Sequence, residues 1–520
     1  MRRFASGHLE QLSYAGPKGC DRLDWKTPMF KSTASVLVLS LLAATAASAQ
    51  AVPQAEDSYF RAGQAGLAAR MAVQPNTQRA RNVILFIGDG MGISTQTAAR
   101  IYQGQRAGAD GESTVTTVDT LPHTALVKTY AHDAQVPDSA PTATALLSGI
   151  KTRNDVIGVN QTARVGDCAS ARGTEASTLL DLARSSGRAT GVVSTARITH
   201  ATPAATYAHT PNRDWENDSE IPEAARAEGC IDIARQLVEG DPIDVVLGGG
   251  RAQFLPTGMA DPEDADRKGL RTDGRDLTQD WLSRNRAGRY VWNRAGFDAI
   301  DPMQTGPVLG LFERDHMEFE VQRTADAGGE PSLSDMTAKA IALLEARPGG
   351  YVLVIESGRI DHAHHVGLAG IALDETVELD RAVRTALEAV DLSETLVVVT
   401  ADHSHNLTIA GYPQRNNPIL GTVVDVDGRL TRAGDGKPYT TLSYANGPGA
   451  EDGARVDPST VDTLRMDYEQ PALVPLRSAS HGGEDVAVKA IGPWSHLFGG
   501  TIEQNLIYHI MVQALEPARP

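Results

Sequence analysis

Four short apolar runs, Val83-Ile-Leu-Phe-Ile87, Thr190-Gly-Val-Val-Ser-Thr195, Tyr351-Val-Leu-Val-Ile355 and Leu396-Val-Val-Val-Thr400, lack the apolar–polar alternation of a half-exposed strand. Continuous runs of this kind read as strands buried on both faces, as in a parallel sheet. Each leads into residues of metal-binding or catalytic type, in turn Asp89, His200, Glu356 and Asp402. A fifth run, Ile243-Asp-Val-Val-Leu247, ends in Gly248-Gly-Gly250 and predicts a sharp turn that contributes no ligand. Between the runs lie helical patterns. Residues 335–346 have Ser334 as cap and Pro348-Gly-Gly350 as stop, and residues 374–390 carry Val383, Leu387 and Val390 on one face. Strand alternating with helix predicts an α/β fold, a doubly wound, mostly parallel sheet with helices on both faces. Such sheets bind ligands beyond the carboxyl ends of their strands, so residues hundreds of positions apart are expected to meet in one crevice.

Two stretches break the rhythm. Residues 251–330 are rich in charge, glycine and proline, and residues 411–478 are turn-rich with short strand-like pieces. Both read as inserts around the core, the second crown-like. Residues 56–71 read as an amphipathic helix that packs on the body or on a second subunit. Met29-Phe-Lys31, an apolar run over 36–42 and Ala47-Ser-Ala49 read as a signal peptide over 29–49, cleaved before Gln50, with residues 1–28 an over-long gene start. The expected product is exported, periplasmic or secreted, and forms one large domain over 50–520. Without residues 1–49 the chain keeps 42 Lys and Arg against 62 Asp and Glu, a formal charge of −20. That argues against wrapping nucleic acid, and an anionic substrate then needs bound cations or a focused arginine. Cys168 and Cys230 remain as an even pair in an oxidising compartment, which predicts a disulfide, with two unpaired buried thiols as the alternative. The last residues, 515–520, lack the hydrophobic tail of a lipid-anchor signal, so no membrane anchor is expected.

Candidate chemistry sharpens the picture. In Val136-Pro-Asp-Ser-Ala-Pro-Thr-Ala-Thr-Ala-Leu146, Ser139 follows Asp138 at a predicted helix start, with Pro141 in the first turn and Gly149 as C-cap. The unpaired amides of a helix N-terminus favour a bound phosphate and a serine alkoxide, which makes Ser139 a candidate nucleophile. Read alone, the stretch is a weak signal and is more simply an ordinary N-cap. Ile360-Asp-His-Ala-His-His365 and Thr400-Ala-Asp-His-Ser-His405 each follow a predicted strand, and carboxylate oxygen with neutral imidazole nitrogen is a zinc-type donor set. Gly88-Asp-Gly90, Glu356 and Ser480-His-Gly-Gly-Glu-Asp485 add donors at other predicted strand ends, which solvated turns do not explain.

In chain order, Asn82-Val-Ile-Leu-Phe-Ile-Gly-Asp-Gly-Met-Gly92, Asp138-Ser-Ala140, His200-Ala-Thr-Pro-Ala204, Ile355-Glu-Ser-Gly-Arg-Ile-Asp-His362, Thr400-Ala-Asp-His403 and His481-Gly-Gly-Glu-Asp485 resemble the motifs of the alkaline phosphatase family. The resemblance implies metal-dependent hydrolysis of phosphate monoesters through a phosphoserine on Ser139, with an alkaline optimum. It implies two zinc ions, the first on Asp361, His365 and His481, the second on Asp89, Asp402 and His403. It also implies a magnesium ion on Asp89, Thr202 and Glu356, all hard oxygen ligands, so that Asp89 bridges two metals. Arg213, closing His209-Thr-Pro-Asn-Arg213, falls where the family clamps phosphate with an arginine fork, and Asp138 stands beside the nucleophile.

His200 and His362 stand where many bacterial members have aspartate and lysine, whereas animal members have histidine at both. An imidazole supplies no fixed negative charge, so weaker magnesium binding is expected. Arg289-Tyr-Val-Trp-Asn293, Gly310-Leu-Phe-Glu313, Tyr412-Pro413 and Tyr444-Ala-Asn-Gly-Pro448 extend the similarity to the animal branch. By that similarity a calcium site uses Glu263, the Phe312 carbonyl, Glu313 and, after a small shift, Glu330. A solvated acidic loop is the alternative. The resemblance further implies a homodimer, formed through the N-terminal helix and the 411–478 insert. Other members of the two-zinc superfamily fit less well. A sulfatase needs Cys or Ser followed by x-Pro-x-Arg, and Ala143 stands where that arginine is required. Phosphodiesterases often use threonine and lack a clamp like Arg213, and an exported metal- or phosphate-binding protein without turnover needs no nucleophile. Small phosphate monoesters are therefore the expected substrates.

Overall fold

The computed structural model describes residue 54 and residues 57–303, 306–451 and 453–516. The expected signal peptide, the 1–28 start and the last four residues lie outside them. The chain divides into two units at residues 66 and 67, the first described only at residue 54 and over 57–66. The N-terminal helix Ser58–Ala72 buries none of its residues within this chain, and Tyr59, Leu67 and Met71 are all exposed.

The predicted apolar runs are all strands: β1 Asn82–Gly88, β3 Ala189–Arg197, β4 Val245–Gly249, β7 Tyr351–Ser357 and β8 Thr395–Ala401. With β2 His123–Lys128, β5 Arg289–Val291, β6 Val308–Leu311, β14 Val486–Ile491 and β15 Thr501–Glu503 they form a ten-stranded sheet in the order β15-β2-β14-β8-β1-β7-β3-β4-β6-β5. Of these ten strands only β14 runs against the rest. Every residue of β1, β4, β7 and β8 is buried, as continuous apolar runs require. The stretch 251–330 was expected outside the core, but it supplies β5 and β6 and so extends the sheet at one edge. Strand-forming pieces as short as Arg289–Val291 carry too little periodicity to read in sequence.

Helices on the sheet differ from expectation mainly at their starts. The helix Leu333–Glu345 is capped by Ser332, not Ser334. Ser332 Oγ accepts from Asp335 N–H and the Asp335 side chain accepts from Ser332 N–H, a capping box, while Ser334 donates to Glu378. The helix Ala369–Ala389 begins ahead of the predicted residue 374, because Asp374 pairs with Arg106 and Glu375 accepts from Glu320 N–H instead of capping. Val383 is buried in the core and Leu387 and Val390 pack against it, the face read from the sequence.

Two smaller sheets are present: β9 Ser404–His405 pairs antiparallel with β13 His481–Gly482, and β10 Leu407–Ile409, just ahead of the 411–478 stretch, joins β11 Leu442–Gly447 and β12 Ala472–Pro475 within it. Cys168 and Cys230 form a disulfide with Cα atoms 5.8 Å apart. Among the described residues no helix is long and apolar enough to cross a membrane.

Candidate metal and phosphate site

Register alone brings the site's first carboxylates together. Gly88 at the end of β1 pairs with Ser357 of β7 on one side and Ala401 of β8 on the other, so Asp89 and Asp402 leave the sheet side by side and Glu356 lies one residue back. Asp361 and His365 occupy one face of the short helix Arg359–His365 that follows β7. His481 arrives from β13, opposite His405 of β9.

These residues form three groups, each with donor atoms within 4.8 Å of one another: Asp361, His365, His405 and His481; Asp89, Asp402 and His403; and Asp89, His200 and Glu356. The imidazoles are oriented as metal ligands are. His365 Nδ1 donates to the Ala479 carbonyl at 2.7 Å and His481 Nδ1 to the Pro137 carbonyl at 2.8 Å, which leaves their Nε2 lone pairs facing each other at 3.3 Å. In the second group His403 Nε2 lies 3.3 Å from Asp89 Oδ1 and 3.2 Å from Asp402 Oδ2. At the third, Glu356 Oε1 and the Thr202 Oγ1 expected beside it are both buried without a hydrogen-bond partner. Orphaned buried oxygens next to a shared carboxylate are what a hard cation would satisfy.

Electrostatics point the same way. Burial raises the pKa of Asp89 well above the usual carboxylate range, reinforced by the charges of Asp402, Asp361 and Glu356. Burial pushes Asp402 and Glu356 each up to about 7. Asp361 is driven up by burial but held well below its ordinary value by His365 and His405. His403 and His200 are pushed far down, and His362 to about 3, chiefly by burial, so all three are neutral imidazoles. Four buried carboxylates that repel one another and neutral imidazoles with inward lone pairs fit metal ions and little else.

Ser139 opens the helix Ser139–Ser148, which ends at Gly149 in the left-handed region (φ +71°) as expected. The cap is Asp138, whose carboxylate accepts from Ala140 N–H, so Ser139 is not the N-cap. Ser139 Oγ is buried, 3.2 Å from His403 Nε2 and 3.4 Å from Asp89 Oδ2. Arg213 reaches the same place, its Nη1 3.2 Å from Asp138 Oδ1 and its Nη2 3.0 Å from His200 Nε2. His362 meets Arg359 Nη1 at 3.1 Å and His200 edge-on at 5.4 Å between ring centroids.

Three residues escaped the sequence reading. His405, the last residue of a quoted motif, places Nε2 2.5 Å from Asp361 Oδ1. His316 packs 4.0 Å from the His362 ring, from a loop with no recognisable motif. Asp326 joins Glu263 and Glu313 in a fourth acidic group. That group does not include Glu330, the expected fourth calcium ligand. Glu330 is buried, with Oε1 accepting from Glu318 N–H at 2.8 Å, and burial together with the charges of Asp326 and Glu313 pushes it up to about 9. Phe312 is buried in the core against Phe297.

The alkaline phosphatase family model matches residues 80–517. The tissue-nonspecific alkaline phosphatase isozyme of Gallus gallus is 45% identical over 489 residues, covering 92% of this chain and 93% of its own. That of Homo sapiens is 44% identical over 448 residues, 84% of each. The solved alkaline phosphatase of Thermus thermophilus shares the fold, with a TM-score of 0.61 at 23% identity over 86% of this chain and 94% of that one. Metal-binding groups at the strand ends, a buried serine among them and relatives matched along nearly their whole length lead to one conclusion: the chain belongs to the alkaline phosphatase family, enzymes that hydrolyse phosphate monoesters.

Proposed function

We propose that Ser139 is the nucleophile of this phosphomonoesterase and that the observation carrying this reading is its position, buried at a helix start between His403 and Asp89 and opposite Arg213. Asp361, His365 and His481 would hold one zinc ion, with His405 fixing Asp361. Asp89, Asp402 and His403 would hold a second, and Asp89, Thr202 and Glu356 a magnesium ion beside His200. When bound, the cations would lower the pKa of the attacking groups and neutralise charge on the leaving oxygen. Ser139 Oγ attacks phosphorus in line as the bond to the alcohol oxygen breaks, and water then cleaves the resulting phosphoserine from the opposite side. Arg213 presents its fork to two phosphate oxygens, and Asp138 holds that fork in place. The amide groups at the start of helix Ser139–Ser148 face the same charge.

Glu263, Glu313 and Asp326 support a calcium site, with carboxylate chemistry that suits that ion. The Cys168–Cys230 disulfide supports a periplasmic or secreted location. The exposed Tyr412 and Leu473 of the 411–478 insert support its use as a contact in a homodimer, which sedimentation of the purified protein tests.

The deciding experiment measures phosphate release at alkaline pH from an aryl monoester, a matched diester and a sulfate ester, before and after chelation. Monoester turnover that disappears on chelation and returns with zinc and magnesium is expected. Dominant diester turnover would instead indicate a phosphodiesterase, and phosphate binding without turnover a binding protein.

A further inference from the structure

Asp155 holds a backbone conformation that favours glycine, with φ +66°. The residue joins the two halves of the phosphate-binding apparatus. Its N–H donates to Asp138 Oδ2 at 2.7 Å, and its carbonyl accepts from Arg213 N–H at 2.8 Å. Asp138 Oδ1 accepts from Ala140 N–H at 2.7 Å and from Arg213 Nη1 at 3.2 Å, which closes a ring around the start of the Ser139 helix. Asn154, the preceding residue, accepts from Asp138 N–H through Oδ1 at 3.4 Å.

The bonds to Asp138 Oδ2 and from Arg213 N–H are made by the backbone of residue 155, and glycine would make both without strain. What aspartate adds is its side chain. It is exposed, and its ionisation responds to Asp138, Arg213 and Asp214. Burial and then the Asp138 charge raise its pKa, as expected for a carboxylate set among other acids. A strained residue kept beside a binding group points to a task for its side chain.

We infer that Asp155 is a specificity-determining residue whose exposed carboxylate, carried on a backbone bonded to both Asp138 and Arg213, loosens the grip on dianionic phosphate and disfavours esters carrying further negative charge. The inference rests on Arg213 as the phosphate clamp. At the distances of a partly solvated mouth, one such charge changes affinity by about threefold to tenfold, and salt screens it.

Asp155→Asn tests the charge alone, because asparagine also tolerates positive φ. The inhibition constant for inorganic phosphate is expected to fall about threefold to tenfold, with KM for an aryl monoester falling alongside. The kcat/KM of a nucleoside triphosphate should rise relative to that of the aryl ester, and each shift should shrink in roughly 1 M salt, where screening extends over only about 3 Å. Asp155→Gly should give the same shifts with a higher Tm, because it also relieves the strain. Unchanged phosphate inhibition and KM in both variants overturns the inference, as do shifts that persist in high salt. Arg213→Ala separates the two levels. If it weakens phosphate binding while Asp155→Asn has no effect, the inference alone fails; if it leaves phosphate binding intact, the clamp and the inference fall together.

Discussion

Ser139 is surrounded by groups that act on its oxygen, and this makes its removal informative. Ser139→Ala is expected to lower monoester turnover by about a thousandfold or more while phosphate still binds, as measured by kcat alongside phosphate titration. Retained turnover would show that another group attacks phosphorus. His200 makes a second test. As a neutral imidazole beside Asp89 and Glu356 it adds no charge to the third metal group, so His200→Asp should raise magnesium affinity, read from magnesium titration of the chelated protein. Unchanged magnesium dependence would sink that view. At this scale the sequence showed ligand types well and roles poorly. His405 sits in a quoted motif, yet only the pairing of β9 with β13 shows that its ring reaches Asp361. Asp326 and Glu330 are both acidic and close in sequence, and only the tertiary structure shows that Asp326 joins Glu263 and Glu313 in one group of donor atoms.

Among the elements, the helix Ser139–Ser148 depends on one cap. Asp138→Ala removes the bond to Ala140 N–H and the anchor of Arg213, and should cost about 1–2 kcal/mol of stability, visible as a lower Tm, together with a raised KM for phosphate esters. A raised KM without any loss of stability would mean that the capping bond is dispensable. The disulfide closes a larger element. Its cysteines are 62 residues apart, so Cys230→Ser should cost about 4 kcal/mol by chain entropy, and reductant should destabilise the native protein to the same extent. Helix starts were legible where the capping pattern was heeded. Ser332 with Asp335 is a serine–acid pair at capping-box spacing, whereas Ser334 followed by Thr337 is not.

For the molecule as a whole, the decisive quantity is the charge stored at the strand ends. In metal-free protein Asp402 and Glu356 keep protons up to about pH 7, whereas the unfolded chain releases them near 4. On these two carboxylates the folded state binds more protons than the unfolded state between those values, a contribution that lowers the stability of chelated protein as pH rises from about 4 to 7, whereas His200, His362 and His403, neutral in the fold, contribute a rise with pH up to about 6.5. Metal-loaded protein should lack the carboxylate contribution, because the cations take the place of the protons, so the stability gap between loaded and chelated protein should widen as pH rises. Thermal melts of both forms between pH 5 and 8 check this, and parallel curves would contradict it. Sequence alone determined the core of this protein. Apolar runs with no alternation can only be strands buried on both faces, and the polar residues that follow them then collect at one end of a parallel sheet. Tertiary structure decided the rest. Register set which carboxylates are neighbours, β5 and β6 joined the sheet although they are too short to announce themselves, and the N-terminal helix exposed residues whose spacing suggested a buried face. The reason is physical: burial on both faces of a strand is a local property of composition, whereas partner, register and backbone strain such as that at Asp155 depend on contacts between residues far apart in the chain.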